Sequence, residues 1–195
     1  GYYKGKDYAI TKMTEKALDL IDRSLSERPG GKQKPFFLYL PYPLPHVSLQ
    51  APDADVKKYI GLFDENPYYG QQGYAATRFP LSTYAAMITY LDEQAGIIMQ
   101  KIKQSGLDEN TIIMFSSDNG PTFNGGVNAA FFNSAGGLRG LKMDLYEGGI
   151  RVPFIARWPG KIPAGKTSEL VSAQLDMMAT FAALTGQKPG YTDGI

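Results

Sequence analysis

Cysteine is absent from the 195 residues of this chain. Without a thiol it can form no disulfide, no thiolate metal site and no cysteine nucleophile. Histidine is almost absent as well, since His46 is the only one. A two-metal hydrolytic centre, which draws on several His and Asp ligands, therefore lacks its parts here. Charge of one sign is not in excess: the formal net charge is +1, which offers no electrostatic basis for nucleic acid or an anionic membrane as the main partner. No uninterrupted apolar run approaches the roughly 20 residues that cross a bilayer as a helix. Internal repeats and low-complexity tracts are missing too. The opening Gly1-Tyr2-Tyr3-Lys4-Gly5-Lys6 does not read as a signal peptide, and the first residue is not Met; targeting information is expected to lie outside this chain.

What is present describes an ordinary globular composition, 43% hydrophobic and 20% charged, in a chain long enough for one domain with a sizeable core. Thr11 to Arg28 has helical spacing, with Ala17, Leu18, Ile21 and Leu25 on one face, Thr11 or Thr14 as cap and Pro29-Gly30-Gly31 as the stop. Phe36-Phe37-Leu38-Tyr39-Leu40, bounded by Pro35 and Pro41, reads as a buried strand. Pro41-Tyr42-Pro43-Leu44-Pro45 then makes a stiff exit loop with His46 at its tip. Residues 47–80, rich in Pro, Gly, Tyr and Asn, form a long irregular excursion with one short helix near Pro52–Tyr59. From Leu81 to Ser105 the spacing is helical again, with Ser82 or Thr83 as cap and Gly106 as the stop.

Thr111-Ile112-Ile113-Met114-Phe115 is a β-branched apolar run that reads as a fully buried strand. It delivers Ser116-Ser117-Asp118-Asn119-Gly120. Ligands of open α/β sheets sit beyond the carboxyl ends of strands. Asp118 and Asn119 carry hard oxygen donors suited to Ca²⁺ or Mg²⁺, although a plain Asx turn uses the same residues. Ile150 to Trp158 reads as a further strand, with Pro153 pointing to an edge or a bulge, and Ala173 to Leu184 as a last helix. Helices alternating with strands in this order predict an α/β fold with a mainly parallel, mixed sheet and helices on both faces.

Four stretches, in order and spacing, closely resemble one family. They are Pro-Phe-Phe-Leu-Tyr-Leu-Pro running into Pro45-His46 and Leu49-Gln50-Ala51-Pro52; Ser116-Ser117-Asp118-Asn119-Gly120; Leu138-Arg139-Gly140-Leu141-Lys142 running into Tyr146-Glu147-Gly148-Gly149-Ile150-Arg151-Val152-Pro153; and Trp158-Pro159-Gly160. The set resembles the arylsulfatase-type sulfatases of the alkaline-phosphatase-like superfamily, over most of residues 1–195. The resemblance implies an incomplete alkaline-phosphatase-like α/β domain that hydrolyses sulfate esters of a carbohydrate or aryl alcohol. It implies that Asp118 and Asn119 are two of the ligands of a Ca²⁺ ion. It gives catalytic and substrate-binding roles to His46 and Lys142: His46 contacts the sulfate and assists the leaving oxygen, and Lys142 holds the ester. A sulfated small molecule or glycan is the implied partner, and a periplasmic, secreted or lysosomal location the implied compartment. Arg139, Arg151 and Glu147 are read as structural, and Gly148 and Gly149 as residues chosen for their backbone.

The family also carries an early Asp-Asp pair that completes the calcium site, a Cys- or Ser-led motif whose first residue becomes formylglycine, and a further Lys and His. None of these is in this sequence. The resemblance is therefore to the later part of a sulfatase catalytic domain, with the formylglycine supplied by sequence outside this chain, and the chain alone is expected to bind rather than turn over. Two other readings remain open at this point: a phosphomonoesterase or phosphodiesterase of the same superfamily, and a non-catalytic module that captures sulfated glycan.

Overall fold

The computed structural model describes residues 5–26 and 35–195; the Pro29-Gly30-Gly31 stop lies outside them. Two compact units follow one another, Gly1–Ile162 and Pro163–Ile195. The first holds helices α1 (Ala9–Ser26), α2 (Asp53–Lys57), α3 (Pro80–Gln104) and the short α4 (Glu147–Ile150), with strands β1 (Ile113–Ser116) and β2 (Phe154–Arg157). The second holds α5 (Asp176–Leu184), which begins three residues later than its spacing predicts. Among the described residues no helix is long and apolar enough to cross a membrane.

Helix α3, 25 residues long, serves both cores of the first unit. At a rise of about 1.5 Å per residue it reaches nearly 40 Å. Its C-terminal half places Ile98 and Ile102 against Ala17 and Ile21 of α1 and against Leu107, with Phe36, Leu38, Leu40 and Ile113 packed around them. Its N-terminal half places Tyr84 and Met87 against Val47, Leu49 and Val127. The expected Ser82 or Thr83 cap is replaced by something more distant. Pro80 occupies the first turn, and the Glu65 carboxylate accepts from the backbone N of Leu81 at 2.7 Å and of Ser82 at 3.2 Å. An acidic group is favoured there because it satisfies orphan N–H donors at the positive end of the helix. Thr83 bonds back to the Phe79 carbonyl instead. In α1, likewise, Thr11 and Thr14 lie inside the helix rather than at its cap. Thr11 meets the Tyr90 hydroxyl and Thr14 the Tyr42 hydroxyl, each at 2.6 Å.

The strands are more exposed than the sequence implies. Phe36–Leu40 is not a β-strand among the described residues, and it is only half-buried: Phe36, Leu38 and Leu40 pack on the core while Phe37 and Tyr39 are 70% and 74% exposed. A two-residue period with only one face covered produces this alternation. Strand β1 is half-buried, with Phe115 exposed. It pairs antiparallel with β2, Ile113 opposite Arg157 and Ser116 opposite Phe154. No parallel pair occurs among the described strands. The run from Ile150 to Trp158 is strand only from Phe154, since α4 takes its start and Pro153 holds the boundary. The pair is buttressed by Arg157, which grips Asp108 through two bonds of 2.6 and 2.8 Å, and by Trp158, whose indole N–H donates to the Glu109 carbonyl.

Beyond β1 the chain passes through a seam of backbone packed on backbone. Gly120 N donates to Gly149 O at 2.8 Å, Lys142 N to Pro121 O at 2.9 Å and Gly148 N to Arg139 O at 2.7 Å. A Cβ on Gly120 would lie 1.9 Å from the Gly148 carbonyl oxygen, one on Gly148 2.0 Å from that of Gly140, and one on Gly149 2.2 Å from that of Asp144. These neighbours are main chain and cannot rotate away.

Gly148→Ala should therefore lower stability by about 1–3 kcal/mol or more, the usual cost of overpacking. Gly96→Ala, at an exposed position of α3 with nothing within 4 Å, should raise it by roughly 0.5–1 kcal/mol through helix propensity. Thermal denaturation of the two variants decides it, and equal shifts would remove the seam's significance. The Asp108–Arg157 pair makes a second expectation. The guanidinium's hydrogen bond holds the Asp108 carboxyl below its ordinary range. A depressed folded value gives stability that is present above the unfolded carboxyl's range, near pH 4, and is lost as pH falls through the folded value. Asp108→Asn should flatten that acid limb of a stability–pH curve while leaving its neutral-to-alkaline part parallel to wild type.

Candidate functional site

Asp118 and Asn119 stand directly past the end of β1, Asp118 exposed and Asn119 half-buried. The Asn119 amide donates to Asp118 Oδ1 at 2.5 Å, and Ser117 Oγ donates to the Asn119 carbonyl at 3.0 Å, closing the turn. No cationic side chain pairs with Asp118 among the described residues, so its charge is met only by a neutral amide. A carboxylate and an amide oxygen on adjacent residues suit Ca²⁺ in kind. They do not suffice in number, since the ion takes roughly 6–8 oxygens, and no cluster of three or more acidic or histidine side chains occurs among the described residues.

Lys142 is brought to this turn by the glycine seam. Its backbone N donates to the carbonyl of Pro121, two residues past Asn119. It sits in a tight turn in which Asp144 Oδ2 accepts from Leu141 N and Asp144 N donates to Leu141 O, both at 2.9 Å. The next residue, Met143, has φ +81° and is 83% exposed. A non-glycine residue in the left-handed region is a strained choice of the kind that gathers at functional turns. Asp144 and Met143 carried no signal in the sequence, because a turn built by a reciprocal Asp bond has no distinctive spacing. The Lys142 ammonium forms no ion pair among the described residues.

The nearby charges are committed elsewhere. The Arg139 guanidinium stacks 3.6 Å from the Tyr146 ring centroid, and Arg151 reaches Glu147 at 3.4 Å. Both contacts lie in the segment around α4.

His46 arrives from a different direction. Its loop turns through His46 N to Pro43 O at 2.8 Å, and Tyr42 ties it to α1. The exposed ring is oriented by its own chain: Nδ1 lies 2.5 Å from the Val47 carbonyl. A carbonyl can only accept, so Nδ1 carries a proton and Nε2 is left for other work. Val47 is buried in the second core, and its Cγ1 lies 2.6 Å from where a Cβ on Gly125 would stand. The His46 loop thus packs on the segment that runs on from Asp118, although no hydrogen bond joins the ring to Asp118, Asn119 or Lys142 among the described residues. The 47–80 excursion is pinned as well. Ser48 Oγ accepts from Ala75 N at 2.9 Å, Gln72 Oε1 accepts from Gly125 N at 2.6 Å, and Tyr68 and Thr77 bridge.

A family model described as Sulfatase matches residues 1–187. The chain is 32% identical over 193 residues to an N-acetylgalactosamine-6-O-sulfatase of Bacteroides thetaiotaomicron, covering 96% of this chain and 34% of that protein. It is 33% identical over 159 residues to human arylsulfatase A, covering 80% and 26%. Among solved structures, that of Ps i-CgsB in complex with k-i-k-neocarrahexaose matches with a TM-score of 0.74 at 34% identity, over 95% of this chain and 36% of that one. The chain spans between about a quarter and a third of the length of these relatives. Its helices and small sheet are part of the alkaline-phosphatase-like α/β fold of these structures. With the match running through both the Asp118–Asn119 turn and the Lys142 segment packed against it, the chain belongs to the sulfatase family.

Proposed function

We propose that the intact protein hydrolyses sulfate esters carried by a glycan. The observation that carries this reading is the seam that lays Lys142 beside the Asp118–Asn119 turn in a member of the sulfatase family. A sulfate monoester concentrates negative charge on its nonbridging oxygens, and Lys142 brings an ammonium with no carboxylate of its own. Asp118 and Asn119 would hold a Ca²⁺ ion together with ligands from sequence outside this chain. When bound, the ion supplies positive charge at the sulfate, and a formylglycine from outside this chain supplies the nucleophile. His46 serves the leaving group. Its Nδ1 proton is committed to the Val47 carbonyl, so Nε2 is the atom that holds a proton for the departing oxygen. The choice of a glycan rests on two relatives, one named for N-acetylgalactosamine 6-sulfate and one crystallised with a neocarrahexaose.

Lys142→Ala in the intact protein should lower kcat on 4-nitrophenyl sulfate by about 10²–10³-fold, as expected for a preorganised charge at a developing anion. Arg157→Ala should act through folding instead, because Arg157 is held by Asp108; its thermal midpoint should fall while kcat per folded molecule stays within a few-fold of wild type. Comparable kcat losses for both would remove the basis for singling out Lys142. His46→Ala should cost about 10²–10⁴-fold on a sugar sulfate and distinctly less on the nitrophenyl ester, whose leaving group needs little protonation. Calcium affinity should not change, since an imidazole is a poor calcium ligand. Weakened calcium binding with equal losses on both substrates would refute the assignment.

A further inference from the structure

Beside the His46 loop lies a cleft of about 390 Å³ lined by Tyr68, Gln71, Gln72, Phe123, Gly126, Val127 and Asn128. It is an open groove, with Gln71, Gln72 and Asn128 exposed along it, so a ligand would lie along the surface rather than be enclosed. Two of its walls lead back to the residues discussed above. Phe123 is three residues past Gly120. Gly126 follows Gly125, the residue packed on Val47, and has no room for a side chain, since a Cβ would lie 2.9 Å from Tyr68 Cβ.

The polar lining has one chemical character. Gln71 Oε1 accepts from Tyr69 N at 3.1 Å, Gln72 Oε1 from Gly125 N at 2.6 Å and Asn128 Oδ1 from Phe131 N at 2.9 Å. A backbone N–H can be met only by the amide oxygen, so each amide's orientation is decided by its own partner. Three NH₂ groups remain, none with an acceptor among the described residues. Next to them are aromatic faces from Tyr68, whose hydroxyl is held by Gln72 N at 3.0 Å, and from Phe123, which is 48% exposed. Among the described residues, no carboxylate and no cation lines the cleft.

We infer that this cleft is a sugar-binding subsite that takes an uncharged pyranose of a glycan, next to the sugar that bears the sulfate. A pyranose offers an apolar face of C–H groups to an aromatic ring and a rim of hydroxyl and ring oxygens to N–H donors. The lining of the cleft matches both, and its neutrality suits a sugar without a sulfate of its own. The inference rests on the sulfatase reading only for the position of the sulfated sugar; the recognition chemistry belongs to the cleft.

The test is calorimetric binding of k-i-k-neocarrahexaose, expected to be the preferred ligand, and of a chondroitin 6-sulfate hexasaccharide, in which each sugar beside the sulfated one carries a carboxylate, to the intact protein and to its Phe123→Ala and Gln71→Ala variants. The parallel measurement is hydrolysis of 4-nitrophenyl sulfate, which is too small to reach a neighbouring subsite. Each variant should weaken binding of the preferred hexasaccharide by about five- to tenfold, the value of one aromatic or polar contact, and leave KM for the aryl sulfate unchanged. Wild type that binds neither hexasaccharide, variants that bind as tightly as wild type, or equal losses on hexasaccharide and aryl sulfate would each overturn the subsite. Hexasaccharide binding that depends on Phe123 in a protein without aryl sulfate hydrolysis would uphold the subsite and sink the catalytic reading instead.

Discussion

The close approach of Gly120, Gly148 and Gly149 is the constraint on which the candidate site depends. The turn after β1, the Arg139–Lys142 stretch and α4 meet through close main-chain contacts, the first of them more than fifteen residues from the other two. Side chains at the contact would separate them by the width of a methyl group or more. The hydrogen bonds Gly120 N to Gly149 O and Lys142 N to Pro121 O are then lost together. The glycines are needed here for their lack of volume. Their backbone angles are not the reason, since none of the three takes a positive φ.

A rigid seam is of use only if the parts it joins are themselves fixed, and α3 does this for the first unit. One half of the helix anchors α1 and the approach to β1, and the other half anchors Val47 and the chain beyond Pro121. The functional loops hang from the two cores of one helix. His46 is thereby placed by packing rather than by any bond to the residues it is proposed to work with: Val47 is inserted in the core and also supplies the carbonyl that orients the imidazole. Glu65 closes the arrangement by satisfying the start of α3 from within the 47–80 excursion. The excursion is therefore part of the support of the site and not an appendage to it.

Cations in this region divide by what already holds them. Arg139 lies on Tyr146, Arg151 on Glu147 and Arg157 on Asp108. Arginine suits such roles, because its planar head stacks and forks in ways an ammonium cannot. Lys142, carried on a strained turn whose backbone is bonded to Pro121, has no ion-pair partner among the described residues. The same reasoning separates the amides of the cleft, whose oxygens are committed and whose nitrogens are not.

Helices α1, α2, α3 and α5 were legible in the sequence to within a few residues, because a 3.6-residue apolar period survives in any environment that covers one face, whereas the four-residue α4 was not; Ile21, Ile98 and Ile102 are buried as their spacing demands. The motif residues His46, Asp118, Asn119 and Lys142 could also be singled out there, since resemblance acts on local strings. The strands were less legible. An apolar run such as Phe36–Leu40 has the same composition whether it is paired or not, and pairing depends on which backbone comes alongside. Caps failed for a related reason: a Thr near a helix start is a local signal, but Glu65, a residue distant in sequence, reached the α3 donors first. What only the tertiary structure decided was adjacency. That Lys142 lies against Pro121, that Val47 lies against Gly125, and that Gln71, Gln72 and Asn128 turn their oxygens to the backbone are long-range or orientational facts. A sequence names the donors and acceptors, but only the folded chain determines which of them are already paired.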